Sequence, residues 1–238
     1  MKKLILLTAI SFIWMSAILP LNASAADITV GATTWYAWWD MNRSGSNGNA
    51  TEFDPAFLYG PMLSIKFNDD YNLTFVYLYG KFDMNEPDGT TSEIARNDSD
   101  LALNYRLNNF FKIFAGAKYM SYSIKNNMDH IGIGPGAGIS AVFPVGGDFF
   151  ILGNISGLYL WGEEKYKGSS TNSDAKYNEY GSNASLSLAY YIVPASTTIS
   201  LGGRYQIFKT MYESSSTNDD MQHKFYGVTL SANYSFSI

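Results

Sequence analysis

After residue 26 the chain never assembles the 18 or so unbroken apolar residues that a membrane-spanning helix needs, yet apolar side chains recur at alternate positions in segment after segment. That period of two marks a strand with two different faces. Leu73, Phe75, Tyr77 and Tyr79 lie on one face, against Thr74, Val76, Leu78 and Gly80. Leu101, Leu103, Tyr105 and Leu107 oppose Asp100, Ala102, Asn104 and Arg106. Tyr226, Val228, Leu230, Ala232, Tyr234 and Phe236 oppose Gly227, Thr229, Ser231, Asn233 and Ser235. Ten such segments can be counted, at about 27–39, 57–67, 72–82, 98–107, 111–123, 131–143, 149–161, 179–192, 197–211 and 224–237. The apolar faces quoted above carry no charge. A charge facing lipid costs about 2–4 kcal/mol at the bilayer midplane, so these faces suit the outside of a barrel in a membrane. The opposite faces mix Gly, Ser, Thr, Asn, Lys and Arg with some bulk, which packs poorly as a core and suits a polar lumen. A barrel that binds ligand in water would require the reverse orientation.

The connections alternate in length. Short ones fall at 68–71, 108–110, 144–147 and 193–196, and long ones at about 40–56, 83–97, 124–130, 162–178 and 212–223. Four short turns and five long loops give ten strands with both termini on the short-turn side. Ahead of them, Lys2, Lys3, the apolar stretch from Leu4 to Ile18 and the small-residue site Ala23-Ser24-Ala25 read as a cleaved signal peptide over residues 1–25. Charged residues make up 16% of the chain, below the roughly 25% of a soluble domain, and there is no Cys. A disulfide framework, a thiolate metal site and a Cys nucleophile are thereby excluded.

The signal peptide, the ten amphipathic segments and the closing Tyr234-Ser235-Phe236-Ser237-Ile238 resemble small bacterial outer-membrane β-barrel proteins, a porin-like class. The final residue departs from that class, being Ile238 where Phe is usual. The resemblance implies an all-β fold, a closed antiparallel transmembrane barrel over residues 26–238 with ten strands, eight or twelve being the alternatives. It further implies five long extracellular loops, periplasmic termini, outer-membrane lipid as surroundings and recognition of the last strand by the barrel-assembly machinery. Nucleic acid is not an expected partner, and no cofactor is implied.

The lumen-facing charges form the candidate site. Lys66, Arg106, Lys112, Lys118 and Arg204 point inward on this parity, against Asp98 and Asp100. A three-residue turn after Leu107 sets Asp100 opposite Lys118, with Arg204 reaching them from across the barrel. Such a cluster acts either as a selectivity element for ions or small solutes or as an ion pair that fills a narrow barrel. Eight strands are just filled by side chains and sixteen leave a channel, so ten favours the filled state. Pro61 and Pro135 each remove a ladder donor, which predicts bulges. Inward glycines at 132, 134, 136 and 138 leave room for bulky neighbours such as Phe114 and lack a nucleotide-binding spacing.

No catalytic or metal-binding constellation stands out. His130 and His223 fall next to long loops without a nucleophile at a recognisable spacing, and read as solvated. The acidic stretches at 83–97 and 212–223 read as solvated faces too. The expected function is a non-enzymatic narrow pore for small solutes or ions. The alternatives are a filled barrel displaying loop residues such as Trp161, Tyr166 and Tyr212, and an outer-membrane hydrolase or lipid-modifying enzyme.

Overall fold

The computed structural model describes residues 27–43, 51–85, 89–125, 127–167, 174–213 and 220–237. Residues 1–25, read as a signal peptide, lie outside the described residues. The strands are β1 (Asp27–Arg43), β2 (Thr51–Phe53), β3 (Ala56–Lys66), β4 (Tyr71–Asn85), β5 (Thr91–Arg106), β6 (Phe111–Ile124), β7 (Met128–Gly146), β8 (Phe149–Tyr166), β9 (Ala175–Ile192), β10 (Thr197–Tyr212) and β11 (Met221–Ser237). Each pairs antiparallel with its neighbours, and β11 pairs with β1 from Asp27↔Ser237 to Arg43↔Met221. That last ladder closes the sheet, so no edge is left unpaired. Closure is what permits a sheet to stand in lipid, since every backbone donor and acceptor is met within the sheet.

The barrel has ten staves. The short β2 continues β3 beyond Asp54-Pro55: the register to β1 and to β4 shifts by one residue there, as a bulge that seats Pro55 requires. Pro61 and Pro135 behave differently from the expected bulges. Pro61 pairs with Ala32 in unbroken register, while the ladder to β4 is interrupted between Tyr59↔Tyr79 and Met62↔Val76 and resumes unshifted. Pro135 does the same between Ile133↔Trp161 and Gly136↔Leu158. One bond is lost and the faces do not flip.

The outer wall is apolar. Leu186 is 64% exposed, Ile155 61% and Leu201 57%, with Tyr59, Trp161, Tyr180, Tyr205 and Tyr226 also exposed. An exposed apolar surface that runs round the whole wall is stable against acyl chains and not against water.

At the loop end the strands run further than the alternation predicts. Of the stretches read as loops, 83–85 belong to β4, 91–97 to β5 and 221–223 to β11, and the connection near 124–130 narrows to a turn around Lys125 and Asn127. The cause is a reversal of polarity. Beyond the apolar belt the outward residues become charged (Lys81, Asp83, Glu93, Glu163, Lys165), while Phe82, Met84 and Ile94 turn inward and are buried. The alternation continues with opposite sign, which a search for apolar outer faces does not register.

Several inward glycines sit where a neighbouring strand passes over them. A Cβ on Gly116 would land on the Leu101 carbonyl oxygen, and one on Gly138 would stand 2.7 Å from Cζ of Phe114. The room for Phe114 inferred from the glycine run is thus real. Gly157 meets nothing within 4 Å. Gly116→Ala should therefore destabilise the refolded barrel by about 1–3 kcal/mol through overpacking, and Gly157→Ala should stay within about 0.5 kcal/mol of the parent. Urea-induced unfolding in detergent micelles measures both.

Candidate functional site

Inward residues change character along the barrel axis. In the turn half many are small and polar: Thr33, Thr74, Asn104, Ser140, Asn154, Ser185, Ser187 and Ser231 line a cavity of about 320 Å³, together with apolar residues such as Met62, Val76, Phe114 and Leu158. Nearer the turns, a mouth of about 730 Å³ is bounded by residues including Asp27, Lys66, Asp69, Asp70, Arg106 and Lys112.

A charged layer roofs that cavity. Asp100 stands opposite Lys118 in the β5–β6 ladder, and Lys118 Nζ donates to Asp100 Oδ1 at 3.1 Å. Arg204, from β10, donates through Nη2 to Asp100 Oδ2 at 3.3 Å and through Nε to Asn183 Oδ1 at 3.0 Å. The structure thus brings Asp100, Lys118 and Arg204 together. It keeps Arg106 and Lys112 apart from them, at the mouth, where Arg106 lies 3.7 Å from Asp70 and opposite Lys112 in register. Lys66 belongs to the mouth too, bridging Asp27 at 3.5 Å and Asp69 at 2.9 Å. Its hydrogen bond holds the Asp69 carboxyl, in the turn, below the usual carboxylate range.

Asp98 lies one step deeper and is 1% exposed. It accepts from Lys118 Nζ and from Arg96 Nη2, the latter at 2.8 Å. Arg96 lies within the 83–97 stretch that the sequence presents as a solvated face. It is fully buried, donates to Gln206 Oε1 at 3.0 Å, and lies 3.5 Å above the ring of Phe225. Its inward direction follows from parity, since Arg96, Asp98 and Asp100 are spaced by two. The misread loop boundary concealed it.

Above this layer the lumen is packed. Every stave contributes at least one inward side chain no more than 2% exposed: Trp35, Leu58, Leu78, Arg96, Met120, His130, Leu160, Glu179, Phe208 and Phe225. The roof also has an aromatic contact, with Arg204 4.8 Å over Trp35, and deeper in the loop-end core Trp39 stacks on Phe53 at 3.9 Å.

The histidines are buried here, contrary to their reading as solvated loop residues. His130 stacks between Tyr122 and Tyr177, each 4.2 Å away, and its Nδ1 lies 2.9 Å from Glu164 Oε1. Tyr166 and Tyr212 donate to the same carboxylate, which marks Glu164 as an acceptor for all three. His223 Nδ1 accepts from Trp39 Nε1 at 3.3 Å, so its proton sits on Nε2, which faces Tyr122 Oη at 3.4 Å. Two of the residues assigned to loop display are therefore partners in a buried network, and Trp161 is part of the outer wall. The burial follows from the reversed polarity that hid the strand ends. A His–carboxylate pair is one part of an acid–base device. His130 Nε2, the atom that would act, is enclosed and has no hydrogen-bond partner among the described residues. Among the described residues no group of three or more His, Asp or Glu is arranged to hold a metal ion.

This is the architecture of the small bacterial outer-membrane β-barrel proteins. The outer membrane protease OmpT from Escherichia coli matches with a TM-score of 0.56 at 10% identity, over 92% of this chain and 99% of its own. The β domain of the Bordetella autotransporter BrkA matches with a TM-score of 0.51 at 9% identity, over 90% of this chain and 100% of its own. No family model matches the chain, and no curated protein matches it in sequence. Identities this low establish a shared fold, and a protease and an autotransporter domain on one architecture show that the fold leaves the activity open.

Removing one member of a buried ion pair strands the other charge, at about 3–5 kcal/mol. Asp98→Asn leaves Arg96 and Lys118 facing each other and should lose that much stability. The double variant Asp98→Asn/Lys118→Met should lose less than Asp98→Asn alone, as read by unfolding midpoints in micelles.

Proposed function

We propose that the protein is an integral outer-membrane barrel with periplasmic termini whose lumen does not conduct, a filled scaffold whose work is done at its loop end and on its surfaces. The observation that carries this reading is the complete ring of buried inward side chains, one or more from each of the ten staves. A narrow pore, the first expectation, needs a water-filled path along the axis. Here the path from the mouth meets Asp98, Lys118, Arg96 and Trp35, each at most 1% exposed. The Asp100–Lys118–Arg204 cluster accordingly serves as a structural ion pair under the seal and not as a filter.

The apolar wall and its aromatic rows support lipid as the immediate surroundings. The barrel-assembly machinery is the expected partner of β11, which carries the terminal alternation and completes the closure. The enclosed His130–Glu164 pair favours a role in holding the loop-end strands together over one in catalysis.

Planar-bilayer recordings test the reading. Inserted, heat-modifiable parent protein should be electrically silent, and Trp35→Ala/Phe225→Ala, which removes two aromatic rings from the seal, should produce discrete steps. Conductance steps from the parent would refute a sealed lumen.

A further inference from the structure

The cavity beneath the seal is blind, and its lining is not the random remainder of a filled barrel. Half of its lining residues carry hydroxyl or amide side chains, with Met62, Val76, Phe114 and Leu158 supplying apolar patches between them, and at about 320 Å³ it lies at the small end of the range of ligand pockets, roughly 300–1,000 Å³. Its charged groups converge at one place, the roof. Arg204 spends two of its five N–H donors, on Asn183 and Asp100, and stays partly open to the cavity with its side chain 14% exposed. Asp100 is 37% exposed there, which leaves acceptor capacity on a carboxylate otherwise held by Lys118 and Arg204.

A second, independent observation points to a ligand. Gln206 lines the same cavity and is fully buried, and its Oε1 accepts from Arg96. Its Nε2 has no hydrogen-bond partner among the described residues. An enclosed amide nitrogen left unpaired costs about 1–3 kcal/mol, and such groups are ordinarily met by a bound molecule or ordered water.

We propose that this cavity is a binding site, entered from the turn end, for a small polyhydroxylated carboxylate of the sugar-acid class. The unused Arg204 donors take the carboxylate, since a planar guanidinium matches carboxylate geometry, and the Gln206 amide turns toward the cavity to join them. Asp100 accepts hydroxyl protons, and the serine, threonine and asparagine walls receive the remaining hydroxyls. A purely anionic ligand without hydroxyls leaves that wall unused and puts its charge beside Asp100 without compensation. An uncharged sugar forgoes the Arg204 contact. The inference rests on the sealed-lumen reading for the blind end of the pocket, and bilayer recordings on the same preparation separate the two: conductance overturns the seal, whereas a silent barrel without binding overturns the site alone.

Titration calorimetry of the refolded full-length barrel in detergent, with galacturonate, gluconate, galactose and acetate as probes, tests the site. At least one of the two sugar acids should bind at least tenfold more tightly than galactose or acetate. Arg204→Gln should weaken that binding tenfold or more, with Arg204→Lys intermediate. Ser187→Phe fills the cavity without touching the ion pairs and should abolish binding while the heat-modifiable barrel persists. Absence of binding by both sugar acids, equal binding of galactose, or binding unchanged in Ser187→Phe would each overturn the proposal.

Discussion

The Asp98 carboxylate, enclosed between Arg96 and Lys118, is the interaction on which the interior turns. Two staves, β5 with Arg96 and Asp98 and β6 with Lys118, could not carry these charges into a dry barrel unpaired, because an unpaired buried charge costs several kcal/mol. Paired, they form a plane from which other contacts are set. Arg96 extends to Gln206 and Phe225 on the far wall, and Lys118 extends to Asp100 and through it to Arg204. The result is a cross-brace between β5, β6, β10 and β11 at the level where the lumen changes from wet to dry.

That plane divides the barrel into two different interiors. Toward the turns, small polar side chains leave space and satisfy one another in short relays, such as Asn183 to Asn154 and Asn154 to Ser185. Toward the loops, Trp39, Phe82, Tyr122, Phe208 and Phe225 form an aromatic core of the kind found inside soluble proteins. The strands need such a core because here they have left the apolar belt and their outer faces are charged. Lipid supports the wall below, and packing supports it above.

The lower half was legible in the sequence to the level of individual pairs. Parity and one turn length placed Asp100 against Lys118 and brought Arg204 to them, because a lipid-facing wall imposes a strict alternation with a known sign. The upper half was not legible for the same reason. Where the sign reverses, Phe82, Met84 and Ile94 look like strays in an acidic loop, and Arg96, His130 and His223 look solvated. Glu164 and Glu179 gave no signal either: they face His130 and Thr210 directly across the β7–β8 and β9–β10 ladders, but at the loop-end level where the polarity of the two faces has reversed. The prolines misled in a smaller way: Pro61 and Pro135 drop a bond without a register shift, and the register shifts lie instead at Asp54-Pro55 in the stave of Pro61 and between Pro144 and Gly146 in that of Pro135.

The central claim, a lumen open at the turn end and sealed from the loop end, is tested most directly by sided labelling. The chain contains no Cys, so Ser187→Cys introduces a single thiol beneath the seal. Asn109→Cys, in a turn, and Lys125→Cys, at the loop end, report the two sides of a proteoliposome. A membrane-impermeant maleimide should modify the thiol at position 187 only from the side that modifies position 109. Modification from the side that reaches position 125 would contradict the seal.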